Sequence, residues 1–128
     1  MLYLQRTLGK ELAGALGEYP VATVLGPRQS GKTTFVRHKY PQFNYANLED
    51  PETRRLAVED PKAFFSRYRR PFTIDEVQRV PKLLSYIQTM VGQEPGNGQF
   101  ILAGGHQLAL GTTTVFWPCP NGWGCPLP

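Results

Sequence analysis

The sequence predicts an α/β fold in which a parallel β-sheet is covered by helices on both faces. Residues 20–25 and 99–104 are apolar at nearly every position, which is typical of strands buried on both sides. These segments alternate along the chain with segments of helical periodicity, and the alternation favours crossover connections between parallel strands. A length of 128 residues corresponds to a single domain with one core.

Apolar spacing predicts the first and last helices. Leucines recur at every fourth position from Leu4 to Leu16, which places them in one stripe along a helix. A further helix is expected to begin at Pro81, because the apolar residues that follow share one helical face. These residues are Leu83, Leu84, Ile87 and Val91.

Two Asp-Pro pairs predict helix starts in the middle of the chain. Asp50 and Asp60 each precede a proline, the pattern of an N-cap followed by proline at the first helical position. Residues 51–58 and 61–68 are therefore predicted to form two short helices or one broken helix. Both aspartates are interpreted as caps rather than as catalytic groups.

Residues 26–33 carry the most specific motif of the chain, a glycine loop that fits G-x-x-x-x-G-K-[ST]. The loop lies between the strand predicted at 20–25 and a helix predicted over 32–39. In that context the backbone N–H groups of the loop and of the helix N-terminus converge on an anion. Lys32 would add a charge for the β- and γ-phosphates, and the Thr33 hydroxyl would bind Mg²⁺.

The whole loop is therefore predicted to bind the phosphates of a nucleotide. For the side chains of Arg28 and Gln29, a solvated position is the favoured interpretation. The predicted phosphate-binding residues are Gly26, Pro27, Arg28, Gln29, Ser30, Gly31, Lys32, Thr33 and Thr34.

Two acidic residues provide the second half of the predicted site. Strands are predicted over residues 44–48 and 71–77, and Asp75 and Glu76 lie at the carboxyl end of the second one, where open α/β sheets place their ligands. Asp75 would hold Mg²⁺ together with Thr33, and Glu76 would orient and deprotonate a water molecule. The predicted catalytic residues are Glu76 and Lys32. On its own the acidic pair would be interpreted as solvated, and the preceding phosphate loop favours the catalytic interpretation.

Four blocks that occur in order resemble the prokaryotic AAA-plus ATPases that pair an ATPase half with a C-terminal nuclease-like domain. The blocks cover residues 25–34, 48–52, 74–78 and 100–104. The resemblance extends over about residues 4–110. It implies a three-layer α/β/α P-loop NTPase sandwich with a Walker A loop at Gly26 to Thr33 and a Walker B pair at Asp75 and Glu76. It also implies ATP as the ligand and Mg²⁺ as the cofactor.

The sequence departs from this family at its C-terminal end. A polar sensor for the γ-phosphate is expected after the strand at 99–104, where His106 or Gln107 would have to substitute. A solvent-facing loop histidine is the favoured alternative. The fifth strand, the arginine finger and the helical lid expected after Leu110 are not recognisable in the sequence.

The chain is therefore predicted to comprise a partial AAA-plus domain over 1–110 and an irregular, non-native or disordered tail over 111–128. The predicted sheet is accordingly incomplete at its C-terminal end. No charged residue and four prolines occur in the tail, and proline interrupts regular ladders. The hypothesis is that a truncation or frameshift of a longer protein produced this tail.

The predicted function is ATP binding and Mg²⁺-dependent ATP hydrolysis, with weak turnover because no arginine follows Leu110. One alternative is a nucleotide-binding remnant without catalysis. A less favoured alternative is a small-molecule kinase, which would need an acceptor pocket and a lid with arginines. ATP is preferred over GTP only through the family resemblance.

Composition restricts the partners without identifying one. The formal net charge of +4 is compatible with phosphate ligands or nucleic acid but demonstrates neither, and the basic residues 67–70 are interpreted as a solvated helix end. No apolar run reaches the roughly 18 residues of a membrane span, and no secretory signal is present, so a cytoplasmic location is expected. Cys119 and Cys125 are expected to be free thiols rather than metal ligands. The oligomeric state is left open.

Overall fold

The computed structural model of the chain describes residues 2–26, 31–104 and 113–116, with side chains described between Gly9 and Gly104 within these ranges. Helices and strands alternate as the sequence predicts. In chain order they are α1 (Leu2–Glu18), β1 (Val21–Leu25), α2 (Lys32–Lys39), β2 (Asn44–Asn47), α3 (Pro51–Glu59), α4 (Pro61–Arg67), β3 (Phe72–Asp75), a 3₁₀ turn (Val77–Arg79), α5 (Leu83–Gln93), β4 (Phe100–Gly104) and β5 (Thr113–Phe116).

The five strands form one parallel sheet in the order β2-β3-β4-β1-β5. Strand β1 lies between β4 and β5, and Leu25 at its end is in register with Gly104 and with Phe116. At the other side of the sheet, Asp75 at the end of β3 is in register with Asn47 and Ala103. The carboxyl ends of neighbouring strands therefore meet along one edge, above which the glycine loop begins.

Two clusters of buried side chains lie on opposite faces of the sheet and make the fold a three-layer α/β/α sandwich. On one face, Leu12 and Leu16 of α1 and Val36 of α2 pack against Ala22 and Ile101. On the other face, α3, α4 and α5 cover the sheet with a larger cluster in which several aromatic rings contact one another. These rings belong to Phe64, Phe65, Tyr68, Phe72 and Phe100. The predicted fold class is thereby confirmed.

The two Asp-Pro pairs cap two separate helices. The carboxylate of Asp50 accepts a hydrogen bond from the backbone N–H of Thr53 over 3.0 Å, and that of Asp60 accepts one from Ala63 over 3.1 Å. Asp60 is also the C-cap of α3, so the chain turns at this residue instead of continuing as a single helix. The interpretation of both aspartates as caps is confirmed, and of the two alternatives the structure has two helices.

The C-terminal part of the sheet differs from the sequence prediction. Residues 111–128 were predicted to be irregular, yet Thr113–Phe116 form β5 and pair in parallel with β1. Threonine, valine and phenylalanine favour strands, and the prolines that suggested irregular backbone all follow β5. The prediction is wrong for these four residues. Residues 117–128, with Cys119 and Cys125, lie outside the described residues, as do His106 and Gln107.

The surface carries the predicted basic cluster at a helix end. Arg67 lies in the last turn of α4, and Arg67 and Arg69 are exposed. Arg70 donates a hydrogen bond to the amide oxygen of Gln99 over 2.6 Å and forms an ion pair with Glu94. Among the described residues, no helix combines the length and the apolar character that crossing a bilayer requires.

Candidate functional site

The two ends of the predicted phosphate loop have the geometry of a strand-loop-helix connection. The backbone N–H of Gly26 donates to the carbonyl oxygen of Gly104 over 3.2 Å, which ties the start of the loop to β4. At the other end, Gly31 has φ 92° and ψ 0°, a left-handed conformation that side chains disfavour, and α2 begins at the next residue. Residues 27–30, which include Pro27, Arg28, Gln29 and Ser30, lie outside the described residues.

The first residues of α2 differ sharply in their exposure. Lys32 is the first helical residue and only 3% exposed. Thr33 is half-buried and Thr34 is exposed. Lys32 and Thr33 therefore lie at the helix N-terminus where the motif requires them, with Thr33 turned toward the sheet.

Thr33 and Asp75 are in direct contact although 42 positions separate them in the sequence. The Thr33 hydroxyl donates a hydrogen bond to Oδ2 of Asp75 over 2.6 Å. Asp75 is buried at the end of β3, and its other oxygen, Oδ1, accepts the backbone N–H of Glu76 over 2.9 Å. The structure thus brings together the two residues that were predicted to share a metal ion.

Tyr45 on β2 is a third partner of the same carboxylate. Its hydroxyl donates to Oδ2 of Asp75 over 2.9 Å, and the Arg37 guanidinium lies 4.2 Å from the centre of its ring. Burial, followed by the charge of Asp75 and the hydrogen bond to it, raises the pKa of Tyr45 well above its usual value of 10.0. Tyr45 therefore remains a hydrogen-bond donor to Asp75 throughout the neutral pH range.

Glu76 lies just beyond the strand that was predicted to contain it. Strand β3 ends at Asp75, and Glu76 has φ 57° and ψ 41°, in the left-handed region. The sequence prediction extended this strand to residue 77, and it is wrong for Glu76 and Val77. The side chain of Glu76 is nevertheless 5% exposed, and its Oε1 accepts a hydrogen bond from Nε2 of Gln78 over 2.7 Å.

The donor atoms around Asp75 suit a hard divalent cation. Mg²⁺ prefers oxygen ligands and one or two carboxylates, and it retains several water molecules when bound to proteins. Thr33 and Asp75 provide a hydroxyl and a carboxylate whose oxygens are 2.6 Å apart, beside the helix N-terminus where phosphates would supply further oxygens. These residues therefore fit Mg²⁺ bound together with a nucleotide.

A cavity of about 380 Å³ begins at this site and extends along α2. Thr33 and Tyr45, the two side chains that donate to Asp75, both line it, together with Arg37 and Thr73. The cavity is bounded on one side by the C-terminal turn of α2 and the segment that follows it. It therefore adjoins the candidate metal site directly.

Two residues of this site were missed by the sequence analysis. Gln78 lies within the block 74–78 and Tyr45 within the strand predicted over residues 44–48, but the sequence predicted no role for either. The polar residue two positions after Glu76 could have been a signal for Gln78. Tyr45 and Ala46 are neighbours on a strand, so their side chains point to opposite faces of the sheet. The sequence did not show whether Tyr45 contacts a site on its face or is a partly exposed residue of an edge strand.

The three-layer fold, the parallel sheet and the strand-loop-helix connection beside Asp75 define a P-loop NTPase-like domain of the α/β class. Residues 18–115 match a family model described as "AAA domain". Because the match covers most of the chain, the chain belongs to this family. The match also continues past residue 110, the predicted end of the domain, and includes most of β5.

Two mycobacterial proteins are similar to the chain. They are described as "Uncharacterized protein Mb2031c" of Mycobacterium bovis and "Uncharacterized protein Rv2008c" of Mycobacterium tuberculosis, and each is 33% identical over 107 residues. The alignment covers 81% of this chain but only 24% of each relative, so the chain spans about a quarter of their length. Membership of the AAA domain family indicates a nucleotide-binding, ATPase-like function with ATP as the ligand.

Proposed function

We propose that this domain binds ATP together with Mg²⁺ and hydrolyses it. The observation that carries the proposal is the 2.6 Å hydrogen bond between Thr33 and Asp75. It joins the residue after the P-loop lysine to the buried carboxylate at the end of β3, so that one metal ion could contact both. Family membership supports ATP as the nucleotide.

Each part of the site has a proposed role. The amides of the loop at Gly26 to Thr33 and the charge of Lys32 would bind the phosphates, and Thr34 would add a hydroxyl at the helix N-terminus. Thr33 and Asp75 would hold Mg²⁺, which when bound neutralises charge on the β- and γ-phosphate oxygens. The buried carboxylate of Glu76 would orient the attacking water.

The proposed reaction balances with water as the only co-substrate. The water oxygen forms a bond to the γ-phosphorus while the bond from that phosphorus to the β,γ-bridging oxygen breaks. ADP leaves with the electron pair of the broken bond, and the proton of the water passes to the carboxylate of Glu76. The products are ADP and inorganic phosphate.

Phosphate release and nucleotide binding by the purified chain test the proposal. We expect Glu76→Gln to lower kcat by about 10²–10⁴-fold while ATP binding is retained, since that is the usual contribution of a general base. Lys32→Ala should abolish calorimetric ATP binding. Glu59→Gln and Lys10→Ala, which change exposed residues on α3 and α1, are the matched controls.

The outcomes separate three functions. Phosphate release that depends on Glu76 supports ATP hydrolysis, whereas ATP binding without release would support a nucleotide-binding module without catalysis. Binding of ATP that is unchanged by Lys32→Ala would contradict the proposed site itself. Because ATP binding to the folded state raises its apparent stability, a melting curve with and without MgATP provides an independent readout.

We also propose that this ATPase unit works within a longer protein that includes a C-terminal nuclease-like domain. The support is the family resemblance of the four sequence blocks, together with relatives of which the chain spans only 24%. Sequencing the locus tests this proposal. A nuclease-like domain encoded downstream, in the same frame or after a shift of one or two bases, would support it, and its absence in independent isolates would contradict it.

A further inference from the structure

The conformation of Glu76 brings Gln78 back toward the end of β3. Glu76 is the one non-glycine residue with positive φ among the described residues, at φ 57°. Left-handed backbone is uncommon for residues other than glycine and is concentrated at functional sites. The turn at Glu76 leads directly into the 3₁₀ turn Val77–Arg79, and as a result Nε2 of Gln78 lies 2.7 Å from Oε1 of Glu76.

The amide of Gln78 is fixed on its other side by β4. A Cβ atom built on Gly104 would lie 2.4 Å from Oε1 of Gln78 and 3.4 Å from its Cδ. Such a separation is far below van der Waals contact, so the amide occupies the space that any other residue at position 104 would fill. The Gln78 side chain is therefore held between the carboxylate of Glu76 and the last residue of β4.

The orientation of this amide leaves one polar atom unsatisfied. Oε1 of Gln78 is buried and has no hydrogen-bond partner among the described residues. A buried carbonyl oxygen without a partner is unfavourable, and Nε2 must face Glu76 because a carboxylate accepts but does not donate. The amide thus keeps its hydrogen bond to Glu76 while its own Oε1 stays without a partner in the part of the chain that the structure describes. This is the pattern expected of a side chain whose main contact is to position Glu76.

We infer that Gln78 is a positioning residue that holds the carboxylate of Glu76 where it can take the proton of the attacking water, and that Gly104 leaves the space that the Gln78 amide requires. The inference rests on the proposed hydrolysis. Gln78 engages Oε1 of Glu76 and leaves Oε2 to accept the proton of the water. Because a misplacement of about 1 Å in a catalytic group costs up to about 10²-fold in rate, loss of this contact lowers kcat rather than ATP affinity.

Gln78→Met is the decisive variant, because methionine is similar in length and fills the space against Gly104 but donates no hydrogen bond. We expect kcat to fall about 10- to 100-fold, with the Kd for ATP within about twofold of the wild-type value and an unchanged melting temperature. A wild-type kcat in Gln78→Met, or a loss confined to ATP affinity or melting temperature, would overturn the inference.

A double-mutant cycle tests the role of Gly104. Gly104→Ala forces the Gln78 amide aside and should lower kcat, whereas Gly92→Ala, where nothing lies within 4 Å of the added Cβ, should not. In a Gln78→Ala background the added methyl has room, so Gly104→Ala should cause no further loss. Additive losses in the two variants would contradict the coupling.

Glu76→Gln distinguishes failure of this inference from failure of the proposed function. If Glu76→Gln abolishes phosphate release and Gln78→Met does not lower it, only the positioning role of Gln78 is overturned. If the wild-type chain releases no phosphate, or Glu76→Gln has no effect, the proposed hydrolysis fails and the role of Gln78 fails with it. Circular dichroism and ATP binding of each variant identify any that does not fold.

Discussion

Tyr45 and Thr33 donate hydrogen bonds to the same oxygen of Asp75, over 2.9 Å and 2.6 Å. Oδ1 of this carboxylate accepts the backbone N–H of Glu76, so three donors from β2, α2 and the end of β3 surround one side chain. Hydrogen bonds to charged groups are each worth about 1.5–3 kcal/mol in stability. The carboxylate is therefore fixed in place before any metal binds.

Removing the Tyr45 hydroxyl should weaken metal binding. Groups that hydrogen-bond to a metal ligand orient it, and their loss typically lowers metal affinity by about 10- to 100-fold. We expect Tyr45→Phe to lower the affinity for Mn²⁺, used in place of Mg²⁺ in the presence of ATP, by about 10-fold in an electron paramagnetic resonance titration. Tyr86→Phe, which changes an exposed tyrosine, is the control. Equal Mn²⁺ affinity in the wild type and Tyr45→Phe would contradict this role.

The same tyrosine should make stability depend on alkaline pH. Burial, then the charge of Asp75, raises the pKa of Tyr45 above the value of 10.0 that it has in the unfolded chain. Between the unfolded pKa and the raised folded pKa, the folded state keeps the Tyr45 proton while the unfolded chain loses it. The stabilisation that the protonated Tyr45 hydroxyl provides is therefore complete below about pH 10 and is lost as the pH rises through the folded pKa. The difference in the free energy of unfolding between wild type and Tyr45→Phe, measured with urea, should be constant near neutrality and change only above about pH 10. A change between pH 7 and 9 would argue against this assignment.

The cap at Asp50 gives a pH dependence of the opposite sign. Hydrogen bonds from the backbone and side chain of Thr53 lower the pKa of Asp50 below its usual value of 3.8. The charged cap therefore contributes stability that is present above about pH 3.8 and is lost as the pH falls through the lowered pKa. We expect Asp50→Ala to lower the melting temperature at pH 7, and Asp50→Asn, which keeps an acceptor oxygen, to lower it less. If the effect of Asp50→Ala were the same at pH 7 and at pH 2, the charge of the cap would have no part in it.

Short sequence patterns predicted most of the helices and strands, because the same residues form the caps and the buried strands of the folded structure. The two Asp-Pro pairs predicted α3 and α4, since a capping carboxylate and a proline with fixed φ act within four residues. The apolar runs predicted β1 and β4, which are buried on both faces. Strand β5 was not predicted, because the four residues pair with β1, more than eighty positions away in the sequence, and a proline-rich segment follows them.

For the candidate site, too, the short motifs were predictable from the sequence and the contacts between distant residues were not. The motif at 26–33 and the acids at 75 and 76 were recognisable because each is compact in the sequence. Their contact depends on the parallel register of β1, β4 and β3, which no short pattern specifies. The contact of Tyr45 with Asp75 depends on a distance across strands, and the placement of the Gln78 amide depends on the space left by Gly104, so the sequence specified neither contact.

The Thr33 hydroxyl should separate metal-dependent from metal-independent nucleotide binding. Thr33→Val keeps the shape of the side chain but removes both the hydrogen bond to Asp75 and the proposed metal ligand. We expect this variant to bind ATP equally well with Mg²⁺ and with EDTA, whereas Mg²⁺ should strengthen ATP binding by the wild-type chain. Thr33→Ser retains the hydroxyl and should restore the Mg²⁺ effect. Thr34→Val, one position along α2 and exposed, should leave the Mg²⁺ effect intact. If Mg²⁺ strengthened ATP binding equally in the wild type and Thr33→Val, the metal would have to be held without Thr33, and the pairing of Thr33 with Asp75 would be a structural hydrogen bond alone.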